Sequence, residues 1–86
     1  MNKIRIYTIP NCPYCMELKT MLTNENIEFT DVNVSLPENK EEFRKLHELT
    51  KSDDVPIVKV GNRILVPETS FKTITEAYEL TKKFLI

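Results

Sequence analysis

From Lys3 to Thr8 the chain alternates, with Ile4 and Ile6 on one side and Arg5 and Tyr7 on the other. Within a few positions this two-residue period gives way to a helical one, in which Leu18, Met21 and Leu22 recur from Pro13 to about Asn24. A second β-type run, Ile27 to Val34, follows with Phe29, Val32 and Val34 among polar residues. Strand, helix and strand in so short a span form a βαβ unit, whose crossover is right-handed almost without exception, so the two strands are predicted to be parallel. The second is predicted at a sheet edge.

The junction between the first strand and the first helix holds Cys12-Pro13-Tyr14-Cys15, with the only two cysteines of the chain. A Cys-x-x-Cys pair in this setting points to redox chemistry. The amino end of a helix presents unpaired N–H groups and the positive end of the macrodipole, and both favour an anion. A free thiol ionises only near pH 8.5, and such a site shifts the balance toward thiolate. Cys12 is thereby the candidate nucleophile. Pro13 suits the first helical position, since its missing N–H has no partner there in any case. One turn of helix brings Cys15 to the same side, within disulfide reach, as the candidate resolving thiol.

Metal binding is the competing use of two cysteines. A tetrahedral zinc site needs four ligands, and His47, the only histidine, lies in a separate amphipathic segment without a second ligand pair. Met16 and Met21 are read as packing residues.

The rest of the chain supplies the frame. Ile9-Pro10-Asn11 is a short turn, and Asn24-Glu25-Asn26 ends the first helix, because Asn tolerates the left-handed conformation. Ser35-Leu36-Pro37-Glu38 has the pattern of a capping box, opening a helix to about Thr50 with Phe43, Leu46 and Leu49 buried. On it Lys40, Glu41, Glu42, Lys45, Glu48 and His47 are predicted at the surface. Val55 to Val60, headed by Pro56, and Arg63 to Val66 flank Gly61-Asn62 as a hairpin. A last helix is capped by Ser70, or one turn later by a Thr73/Glu76 capping box, with Ser70 preferred; Phe71, Ile74, Tyr78 and Leu85 form its stripe beside Ala77 and Thr81. The order is β-α-β-α-β-β-α.

A chain of 86 residues accommodates one small domain, residues 1–86. Its formal charge of −1 recommends neither nucleic acid nor an anionic membrane as partner. Without a signal-type apolar block, the expected location is the reducing cytoplasm, where the cysteine pair cycles instead of serving as a staple.

The Cys12-Pro13-Tyr14-Cys15 motif, the Asp54-Val55-Pro56 segment some forty residues on and the element order together resemble the dithiol glutaredoxins. The resemblance implies an α/β thioredoxin fold, a four-stranded mixed sheet flanked by three helices. It implies that Val55-Pro56 is cis and faces the cysteines, so that Val55 pairs through its backbone with a glutathionyl or peptide strand. Pro13, Tyr14, Val55, Pro56, Thr69 and Ser70 are then the expected substrate-binding residues, and Cys12 and Cys15 the catalytic ones. Three positions depart from the family pattern: Ile9 stands where lysine is usual, Asp54 where threonine is usual, and Val66-Pro67 with Thr69-Ser70 where Gly-Gly and Asp are usual.

The implied activity is thiol–disulfide exchange on protein or glutathione mixed disulfides, by a monomer with no bound cofactor and glutathione as reductant or co-substrate. An alternative keeps the chemistry but takes electrons from a thioredoxin reductase and serves ribonucleotide reductase. A non-enzymatic alternative is an iron–sulfur or metal module with Cys12 shared across a dimer.

Overall fold

Strand β1 (Ile4–Thr8) is buried on both faces, which explains why it carries Tyr7 and Thr8 as well as the two isoleucines. The computed structural model describes residues 3–85 and places β1 inside a four-stranded sheet of order β2-β1-β3-β4. Strand β2 (Thr30–Asn33) runs parallel to β1 at the edge, with Ile6 opposite Asp31 and Tyr7 opposite Val32. Strand β3 (Ile57–Val60) is antiparallel to β1, and β4 (Arg63–Leu65) is antiparallel to β3. Val60 pairs with Arg63 across Gly61-Asn62, the hairpin predicted from the sequence. Gly61 has a φ of 60°, a conformation that glycine adopts without a Cβ clash.

Helix α1 (Pro13–Asn24) has the predicted limits. Its end is a Schellman arrangement: Asn26 takes a φ of 58°, and the N–H groups of Asn26 and Ile27 donate to the carbonyls of Thr23 and Leu22 at 3.0 Å each. Helices α1 and α3 (Ile74–Leu85) cover one face of the sheet, where Ile4, Ile6, Leu18, Leu22, Val58 and Ala77 close the larger core. Helix α2 (Lys40–Thr50) covers the other face, over a smaller core of Tyr7, Val32, Leu46, Ile57 and Val66.

Four local expectations are corrected. The Ser35 capping box does not form, because the Ser35 hydroxyl donates to Asn33 Oδ1 at 2.6 Å in a turn that closes β2. A short 3₁₀ turn, Pro37–Asn39, precedes α2 instead. Leu49 is 76 % exposed, since the inward face of α2 runs through Phe43, Leu46 and Thr50 and leaves Leu49 on its flank. Ser70 does not cap α3. Thr73 does, accepting from the Glu76 N–H at 3.1 Å while Glu76 accepts from the N–H groups of Thr73 and Lys72 at 3.1 and 2.8 Å.

The fourth correction is Glu42, which is half-buried against β1 and not simply solvated. Arg5 grips it with two hydrogen bonds, Nε at 2.9 Å and Nη2 at 2.8 Å, and the Tyr7 hydroxyl donates to it at 2.6 Å. Burial alone would raise the Glu42 pKa, but the bonds from Arg5 and Tyr7 more than offset it and the carboxyl titrates below its ordinary value. This clasp ties α2 to β1 on the side of the sheet that has the smaller core.

Removing the acceptor leaves the Tyr7 hydroxyl unpartnered, so Glu42→Ala is expected to lower unfolding free energy by about 1–3 kcal/mol in urea titrations. Tyr7→Phe in that background is expected to recover part of the loss. A carboxyl with a lowered folded pKa stabilises above its unfolded value of 4.5 and ceases to do so as pH falls through the folded value. The gap between wild type and Glu42→Gln is therefore expected to close as pH falls below about 4.5.

Candidate active site

The backbone turns from β1 into α1 through Ile9-Pro10-Asn11, with Asn11 at a φ of 60°. This turn sets Cys12 at the N-cap of α1 in an extended conformation and Pro13 at the first helical position. The Cys15 N–H then donates to Cys12 Sγ at 3.2 Å. The first turn of the helix thus aims an amide at the sulfur, as an N-capping side chain would be held. Both cysteines are free thiols.

The two sulfurs differ in their surroundings. Cys12 is 8 % exposed and Cys15 is 1 % exposed. Burial pushes the Cys15 thiol up to about 12, and its contact with Cys12 adds to the rise, while a hydrogen bond with the Ile9 backbone and, more weakly, the charge of Lys19 pull in the other direction. Cys12 is thus the outer sulfur of the two and Cys15 the inner one.

A groove of about 340 Å³ opens beside the pair. Tyr14 forms one wall, and Asp54, Val55 and Pro56 form another. The Val55-Pro56 peptide is cis, as the resemblance implied, and Pro56 is buried at the head of β3. The structure thus brings Tyr14, Val55 and Pro56 to one cleft, and Tyr14 lies between Cys12 and Cys15 in the chain. Pro13 is exposed at the start of α1.

Thr69 and Ser70 have other places. The third wall consists of Pro67, Glu68 and Phe71 through Ile74. Ser70 faces back into its own loop, where its Oγ accepts from the Val66 N–H at 3.0 Å and its N–H donates to the Val66 carbonyl at 2.9 Å. Thr69 is exposed in the same turn. Sequence reasoning overlooked Glu68, Phe71 and Lys72 as wall residues. The Thr73/Glu76 capping box was the available signal, because a later helix start leaves residues 67–73 as a loop over the groove. Asp54 and Glu68 supply two carboxylates to this lining and Lys72 one ammonium, all exposed.

No group of three or more His, Cys, Asp or Glu side chains able to hold a metal gathers among the described residues. His47 meets Asp53 Oδ1 at 3.0 Å and the Ser52 carbonyl at 3.2 Å, on the loop that leads toward Asp54. Among the described residues no helix is long and apolar enough to cross a membrane.

A thiol whose folded pKa is raised keeps its proton while the unfolded chain loses it. Stability is therefore expected to fall as pH rises from about 9 toward 12, and a Cys15→Ser variant is expected to lose less across that window in denaturant titrations at stepped pH. Thiolate absorbance of a Cys12→Ser variant is expected to show Cys15 ionising above the ordinary value of 9.0, because burial is the main cause of the shift.

Comparison with known proteins places this geometry in a family. The model of the family described as Glutaredoxin matches residues 4–65. The chain is 36 % identical over 63 residues to a glutaredoxin-like 8.6 kDa protein in the rubredoxin operon of Clostridium pasteurianum, covering 73 % of this chain and 81 % of that one. It is 38 % identical over 47 residues to glutaredoxin 1 of Rickettsia felis, a match spanning 52 % of this chain and 46 % of the relative. The glutaredoxin Grx-1 structure from Archaeoglobus fulgidus superposes with a TM-score of 0.71 at 22 % identity, covering 99 % of this chain and 87 % of that one. The fold is accordingly thioredoxin-like, with the four-stranded mixed sheet and three helices of those structures.

Proposed function

The chain belongs to the glutaredoxin family, and from that premise we propose that it reduces disulfides by a dithiol exchange in which Cys12 attacks and Cys15 resolves. The observation that carries the reading is the 3.2 Å bond from the Cys15 amide to Cys12 Sγ at the start of α1. Thiolate, not thiol, is the nucleophile in disulfide exchange, and an amide aimed at the sulfur supports its charge.

The Cys12 thiolate attacks one sulfur of a substrate disulfide. A Cys12–substrate bond forms as the substrate's S–S bond breaks, and the first substrate sulfur leaves with the electron pair and takes up a proton. Cys15, deprotonated, then attacks Cys12 Sγ; the Cys12–Cys15 bond forms and the second substrate sulfur departs as a thiolate. The protein is oxidised by two electrons and the substrate reduced by two. An external dithiol, or two glutathione molecules, returns the pair to thiols.

The groove between Tyr14 and Val55-Pro56 is where an extended substrate segment lies beside Cys12. Backbone pairing along Val55 would hold it with little regard for its side chains. Thr69 and Ser70 contribute by shaping the loop above the groove. Such a cycle belongs in a reducing compartment such as the cytoplasm.

One observation favours a thioredoxin reductase over glutathione as the electron source. The groove carries carboxylates at Asp54 and Glu68 against one ammonium at Lys72, and Ile9 stands in the turn before Cys12. An anionic tripeptide meets less complementary charge there than a neutral or cationic peptide segment does. Ribonucleotide reductase would be one disulfide-bearing target on this reading.

Cys12→Ser is expected to abolish reduction of any disulfide substrate, and turnover surviving that change rejects the assignment. With glutathione as sole reductant and a glutathionylated peptide as substrate, a glutathione-dependent protein is expected to keep activity in Cys15→Ser. Turnover that requires both cysteines, and that a thioredoxin reductase supports while glutathione does not, identifies the second electron source.

A further inference from the structure

Cys15 must become a thiolate to complete the exchange, yet it is 1 % exposed and its burial opposes ionisation. The groups that share its side of the sheet decide how this is met. On a parallel pair, residues in register share a face, so Asp31, opposite Ile6, points to the α1 side as Ile4, Ile6 and Thr8 do. Arg5, Tyr7 and Glu42 lie on the opposite face, under α2.

On the α1 side a cluster of three polar groups ties the elements together. Thr8, 3 % exposed at the end of β1, donates from Oγ1 to Asp31 Oδ1 at 2.6 Å. Lys19 Nζ, from α1, meets Asp31 Oδ2 at 2.8 Å. Lys19 is four residues after Cys15, one helical turn on, and helical side chains lean toward the amino end, so its stem covers the turn that contains Cys15. Thr8 is followed directly by the turn that delivers Cys12. From this face Lys19 of α1 acts on Cys15 through its charge, and Asp31 of β2, itself bonded by the Thr8 hydroxyl of β1, holds that ammonium.

We propose that Lys19, held in place by Asp31 and Thr8, is a positioning residue for the resolving step, setting a positive charge beside Cys15 as that sulfur ionises and attacks. The role rests on the dithiol mechanism above. A cation near a thiol favours the charged form and opposes the effect of burial, and the influence of Lys19 on Cys15 has that sign. Asp31 fixes where the ammonium sits. Its own carboxyl is held below the ordinary value: burial would raise it, and the bonds from Lys19 and Thr8 reverse this. In this step Cys15 gives up its proton to solvent, its thiolate forms the bond to Cys12 Sγ, the Cys12–substrate bond breaks with its electron pair passing to the substrate sulfur, and that departing thiolate takes up a proton from solvent.

The test is single-turnover reaction of the reduced protein with an aromatic nitrothiobenzoate disulfide, which releases one coloured thiolate when Cys12 attacks and a second when Cys15 resolves. Lys19→Met is expected to slow the second phase about three- to tenfold near neutral pH, leave the first phase unchanged, and move the pH profile of the second phase to higher pH. Lys19→Arg, which keeps the charge and can still bond Asp31, is expected to restore the wild-type profile. Equal second-phase rates in wild type and Lys19→Met, equal slowing of both phases, or slowing in Lys19→Arg as large as in Lys19→Met would each overturn the role. Absence of a second phase in the wild-type protein would instead reject the dithiol mechanism on which the role rests.

Discussion

An amide hydrogen aimed at a sulfur organises this molecule. The Cys15 N–H reaches Cys12 Sγ only because the chain leaves β1, turns within Ile9-Pro10-Asn11 and starts a helix at Pro13. Each of those steps has a local cause. Asn11 accepts a left-handed backbone, and proline brings a fixed helical φ and no amide of its own. The result leaves one sulfur near the surface facing N–H dipoles and hides the other behind it. The asymmetry follows from position along a single helical turn.

That turn is held still by a sheet with two cores. Strand β1 delivers the cysteines and contributes Ile4 and Ile6 to one core and Tyr7 to the other. On the α1 and α3 side, apolar burial is extensive. On the α2 side the core is small, and the clasp of Arg5 and Tyr7 on Glu42 adds a directional contact to it. A half-exposed ion pair by itself contributes little, typically below about 1 kcal/mol. Here the buried Tyr7 hydroxyl makes the carboxylate necessary, since a buried donor without a partner is costly.

Charge around the cysteines is arranged on two levels. Beneath them, Thr8, Asp31 and Lys19 join β1, β2 and α1 through one carboxylate that accepts from both partners. Beside them, the groove presents Asp54, Glu68 and Lys72 to solvent around Val55 and Pro56. On the proposed mechanism the first cluster bears on the protein's own sulfur chemistry, and the second on which disulfide enters. The first lies at the ends of parallel β1 and β2, the second at the head of β3 and in the loop after β4.

The sequence by itself determined most of the elements and the place of the candidate cysteine pair. Period-two and helical patterns located β1, α1 and the Gly61-Asn62 hairpin, and the Cys-x-x-Cys spacing at a strand-to-helix junction singled out Cys12 and Cys15, because these features are set by residues within one turn or one strand of each other. The choice among polar partners, near or far along the chain, was decided only by the tertiary structure. Ser35 turned to Asn33 and Ser70 to Val66, leaving Thr73 to cap α3; Leu49 fell on the flank of α2; Glu42 found Arg5 and Tyr7; and Asp31 found Lys19. A polar side chain satisfies whichever partner the packed chain brings within about 3 Å, and its neighbours in sequence do not specify that partner.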